Sequence, residues 1–71
     1  MKFIKVVKAN KEVMDEFNLD RKTFDSIYEE LSNISNYGLI YFDELEESAE
    51  TLGMDPIELQ DIALALGYNV Q

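Results

Sequence analysis

The stretch AETLGMDPIELQDIALALG, residues 49–67, carries its own punctuation. Gly53 can take the left-handed conformation that ends a helix at little steric cost. Two residues later Asp55-Pro56 restarts one, with Asp55 as N-cap and Pro56 at the first helical position, where its missing N–H is no loss. Beyond it Leu59, Ile62, Ala63 and Leu66 fall on one helical stripe, closed by Gly67. Ahead of Gly53, Leu45, Ala49 and Leu52 share a face, while Glu44, Glu46, Glu47 and Glu50 line the rest of the cylinder. Helices are expected over 44–52, with Asp43 as cap, and over 56–66. Joined by so short a turn, they make a helical hairpin.

The same grammar occurs 35 residues earlier. Met14-x-x-Phe17-Asn18-Leu19-Asp20 corresponds to Ala49-x-x-Leu52-Gly53-Met54-Asp55, and Phe24, Ile27 and Leu31 correspond to Leu59, Ile62 and Leu66. Asn18 stands where Gly53 stands, and Asn also tolerates the left-handed conformation. A first hairpin is therefore expected from helices over 11–17 and 21–34, the second capped by Asp20. Between the hairpins, Ser35-Asn36-Tyr37-Gly38 clusters turn formers. The β-leaning run 39–42 is expected to pair with a strand over 3–7, within FIKVVK. The expected fold class is mainly α (α+β), a single compact domain over 1–71 with four short helices as two hairpins and a small two-stranded sheet.

Ala49, Gly53, Met54, Leu59 and Ile62 match five apolar or small positions of the helix-turn-helix superfamily, which the chain resembles in spacing. The earlier copy, followed by ISNYGLIYF, looks like the approach to the wing of a winged member. The resemblance implies that the second helix of a unit enters the DNA major groove. In the second copy the corresponding exposed residues are Asp55, Ile57, Glu58, Gln60 and Asp61, of which only Gln60 suits base recognition. No cation lies between Thr23 and Gln71 to replace released counterions. This copy is expected to be repelled by DNA. In the first copy Arg21, Lys22, Thr23 and Ser26 open the second helix, and an alternative reading makes them the nucleic-acid-binding residues of a small regulator. The plainer reading pairs Arg21 and Lys22 with Asp20, Asp25 or Glu16 and lets the N-terminal lysines protect a strand edge.

Charge sharpens the contrast between the two ends. Residues 1–22 hold all six bases and four acids, a balance of +2, whereas residues 23–71 hold eleven acids and no base, and +2 − 11 gives the net −9. With 46% hydrophobic residues the chain is a folded one, so the acidity belongs to a surface. A field of one sign costs self-repulsion, which favours a basic protein partner over mere solubilisation. Asp43, Glu44, Glu46, Glu47, Glu50, Glu58 and Asp61 are the expected partner-binding residues, with Tyr68 as an aromatic anchor. In size and charge the chain is similar to small phage-type DNA-mimic inhibitors, whose carboxylates occupy the groove of a DNA-binding protein.

The absence of Cys and His removes thiol and imidazole chemistry and the usual zinc ligands. Carboxylate pairs such as Glu46/Glu50 on an open helix lack the burial that tunes a general acid. Neither an enzyme nor a cofactor or metal site is expected. MKFIKVVK offers no continuous apolar run, so no membrane partner is expected either, and a cytoplasmic location is.

Overall fold

The computed structural model describes residues 9–71. Its order is α1 (Asn10–Glu16), α2 (Arg21–Ile34), β1 (Leu39–Ile40), α3 (Phe42–Leu52), α4 (Pro56–Ala65) and β2 (Asn69–Val70). Over the described residues the chain is mainly helical with one small two-stranded sheet, and the strand expected over 3–7 lies outside them.

The sequence repeat is also a hydrogen-bond repeat. After α1, Asn18 adopts φ 55°, Leu19 N donates to Met14 O at 2.8 Å and Asn18 N to Asp15 O at 3.4 Å. After α3, Gly53 adopts φ 69°, Met54 N donates to Ala49 O at 2.9 Å and Gly53 N to Glu50 O at 3.1 Å. Each donor and acceptor in the second set lies 35 residues after its counterpart. Both ends are Schellman turns, which satisfy the last helical carbonyls by reversing the chain through one left-handed residue. The restarts match as well. The Asp20 carboxylate accepts from Thr23 N at 2.7 Å and the Asp55 carboxylate from Ile57 N at 2.8 Å, so each second helix has a capped N-terminus.

These turns aim the apolar stripes at one another. α3 packs against both α2 and α4, and Val13, Phe24, Ile27, Leu31, Ile40, Leu45, Ala49, Leu59, Ile62 and Ala63 form one buried cluster. The repeat pairs Phe24/Leu59 and Ile27/Ile62 are buried in both copies. Symmetry then breaks at the far end of the second helices. α2 continues to Ile34, but α4 stops at Ala65, where Gly67 at φ 101° makes a third Schellman turn, with Tyr68 N donating to Ala63 O at 3.0 Å.

That last turn supplies a strand. β2 runs parallel to β1 in the register Leu39↔Asn69 and Ile40↔Val70, with α3 and α4 as the crossover that a parallel pair requires. Asn69 and Val70 carry no strand pattern in the sequence. Run 39–42 is also shorter as a strand than expected. Phe42 N donates to Gln71 O as the last bond of the sheet, while Tyr41 O accepts from Leu45 N at 3.0 Å as the first bond of α3. Tyr41 is therefore the N-cap in place of Asp43. Asp43 sits inside the first turn, where its charge favours the positive end of the helix dipole and its carboxylate accepts from Glu44 N at 3.0 Å.

β1 is entered through a two-residue turn. Tyr37 and Gly38 have φ of 54° and 82°, as a type I′ turn demands, and Asn36 and Leu39 exchange both backbone bonds at 2.8 and 3.0 Å. Glycine suits such a position. An aromatic side chain in the left-handed region does not, and Tyr37 is held there with its ring fully exposed.

Candidate interaction surface

Along α3 each residue advances about 100° around the axis. Leu45, Ser48, Ala49 and Leu52 consequently form the inward face, three of them buried and Leu52 packed at the core margin. Asp43, Glu46, Glu47 and Glu50 occupy the opposite side, Glu44 sits at its edge, and all five are exposed. From Asp43 to Glu50 the row is about 10 Å long, at about 1.5 Å per residue. Because α3 packs against both α2 and α4, this row is displayed on a fixed support. Among the described residues no α3 carboxylate is in an ion pair, and no three acidic groups converge closely enough to hold a metal ion. The charges stand side by side along a cylinder, a geometry suited to an extended cationic surface.

The other three candidate residues have different settings. Asp61 is exposed on the outer side of α4, one turn from Ile57 and less than one from Leu64. Glu58 forms part of the wall of a groove between the two hairpin turns. Tyr68 is partly buried and packs against the core margin. The expected partner-binding set is thus one row on α3, two outlying acids on α4, and Tyr68 just beyond the end of α4. Among the described residues Tyr37 carries the most exposed aromatic ring; its place in a cluster of turn formers was legible in the sequence, and its full exposure follows from the turn geometry.

The groove encloses about 480 Å³ and has a floor of Leu19, Ile27, Leu52 and Met54. Its rim carries Lys22, Thr23 and Ser26 from α2 and Thr51 and Glu58 from across the gap. Leu19/Met54 and Thr23/Glu58 are repeat equivalents, so the groove is where the turn of one copy faces the turn of the other. The basic candidates are partly engaged here. Arg21 Nε lies 3.6 Å from the Asp25 carboxylate, a pairing anticipated by their one-turn separation, and the Ser26 hydroxyl donates to Lys22 O at 3.1 Å. Thr23, through its hydroxyl and then its backbone N–H, holds the Asp20 carboxyl below its ordinary pKa, with Lys22 adding a smaller effect in the same direction. Arg21, Lys22, Thr23 and Ser26 are all exposed at the start of α2, with an acid, Glu58, across the groove from three of them. No family model, curated protein or solved structure matches this chain.

Proposed function

We propose that this chain is a non-enzymatic protein-binding module that docks its acidic α3 face on a basic partner surface. In its sharpest form it imitates DNA and acts as an inhibitor of a nucleic-acid-binding protein. The observation that carries the reading is the row Asp43, Glu46, Glu47 and Glu50, four exposed carboxylates of one sign on the face opposite the core, with no ion-pair partner among the described residues. Like charges one turn apart repel, and a fold retains such a row at a cost to itself. A cationic surface that approaches the row turns that repulsion into attraction. Association is then fast, steered by charge, and steeply weakened by salt.

The alternative is a DNA-binding regulator using Arg21, Lys22, Thr23 and Ser26. The Arg21–Asp25 pair and the presence of Glu58 with Lys22 in the lining of one groove weaken it, since both add negative charge to the surface that would meet phosphate. Two titrations separate the readings. A labelled arginine-rich peptide should bind at low salt, and changing Glu46, Glu47 and Glu50 together to Gln should weaken it at least about tenfold. Random duplex DNA should not be retarded in a mobility-shift series at low salt. Peptide binding indifferent to the three Gln changes overturns the proposal, as does DNA retardation abolished by Arg21→Glu and Lys22→Glu.

A further inference from the structure

α4 is apolar on two sides. Leu59, Ile62 and Ala63 are buried, whereas Ile57 and Leu64, on the opposite side, are 57% and 47% exposed. Single exposed apolar residues are ordinary. These two are seven residues apart, which returns a helix to within about 20° of the same direction, so they stack on one line along the axis about 10 Å long. Asp61 lies on the same face between them. Glu58 flanks one side of the line and the uncharged Gln60 the other. A helix that faced only water would carry polar residues along that line.

Seven-residue apolar spacing is the repeat with which one helix lies along another, knobs between knobs. Charge decides which kind of helix. A second copy of this chain, packed about a two-fold axis, would set Asp61 against its own mate and bring together two molecules of net charge −9. An anionic lipid surface meets the same repulsion. We infer that the outer face of α4 is a docking seam for an amphipathic helix of a basic protein, with apolar residues seven apart against Ile57 and Leu64 and Arg or Lys opposite Asp61 and Glu58. The neutral Gln60 flank leaves the cations of the partner on one side only, which fixes the direction in which its helix lies. The inference rests on the reading of the chain as a partner-binding module and adds to it the form of the partner and a second contact surface.

The test is a selection from a displayed library of helical peptides, about 18 residues long to hold helical form. Apolar residues are fixed at seven-residue spacing and the flanking positions are randomised. Selected peptides should be enriched in Arg and Lys on one flank. Their affinity should fall at least about tenfold for Ile57→Ser or Leu64→Ser, both solvent-facing changes whose folding is checked by circular dichroism. A peptide with its cations changed to Glu should bind Asp61→Arg better than the wild type. The inference is overturned if selection returns no binder sensitive to Ile57 and Leu64, if the flanks come out neutral or acidic, or if sedimentation shows a dimer that Leu64→Ser dissolves. Run in parallel, the variant with Gln at 46, 47 and 50 keeps the two proposals apart. Binders that respond to those changes and ignore Ile57 and Leu64 refute the α4 seam while leaving the α3 reading intact.

Discussion

If the α3 row is an uncompensated field, removing it should make the protein more stable. Five like-charged pairs lie one turn apart on this helix: Asp43/Glu47 and Glu46/Glu50 at four residues, Asp43/Glu46, Glu44/Glu47 and Glu47/Glu50 at three. Each costs about 0.2–0.5 kcal/mol on an exposed helix. Changing Glu46, Glu47 and Glu50 to Gln removes all five, a gain of about 1–2.5 kcal/mol at low ionic strength. Glu50 adds a little more, because it lies in the last turn, where the helix dipole disfavours negative charge. Gln and Glu have nearly equal helix propensity, so the exchange tests charge and little else. The assay is urea unfolding followed by circular dichroism, at low salt and again at 1 M, where the screening length falls to about 3 Å and the gain should disappear. For a domain of this size the low-salt gain corresponds to a rise in Tm of about 5–15 °C. A variant no more stable than the wild type at low salt refutes the reasoning, for it would mean that cations already neutralise the row. A gain that survives 1 M salt refutes it differently, by tracing the effect to something other than charge.

Three further outcomes follow from the turns and caps. Gly53→Ala should cost about 1–2 kcal/mol in chemical denaturation although nothing lies within 4 Å of the added Cβ, because the penalty is purely that of φ 69°. Gly53→Asn should cost clearly less, as Asn18 already serves the equivalent turn at φ 55°. Tyr37→Asn should stabilise by about 0.5–1 kcal/mol, since it converts a strained Tyr-Gly turn to the favoured Asn-Gly of type I′ and loses no buried contact. Asp20→Asn keeps a capping oxygen but cannot ionise. The carboxyl of Asp20 has a folded pKa below its unfolded one, so its contribution is full above the unfolded pKa and is lost as pH falls through the folded value. The stability gap between wild type and variant should therefore be present at neutral pH and close in acid, and a gap independent of pH would contradict the Thr23–Asp20 bond.

Amino-acid sequence alone determined what is local. Asp20, Asp55, Gly53 and Gly67 start or stop helices through bonds to residues no more than five positions away, and those bonds form wherever the rest of the chain lies. The mainly helical class with a minor sheet follows from this punctuation and from the spacing of Phe24, Ile27, Leu31, Leu59 and Ile62. So does the grouping of Asp43, Glu46, Glu47 and Glu50 on one side of α3, since a helix maps sequence spacing directly onto direction. Tertiary structure decided what depends on pairing between distant residues. Strand β1 took Asn69–Val70 as a parallel partner, which no local pattern announced, because a two-residue strand has too few side chains to carry a periodicity. The competition between sheet and helix for the backbone around Tyr41 and Phe42 moved the start of α3 ahead of Asp43. Packing likewise placed Glu58 on a groove shared with Lys22, drew Tyr68 toward the core, and left Ile57 and Leu64 uncovered. A helix with apolar residues on two sides can bury either one, and only the positions of its neighbours select which side meets the core.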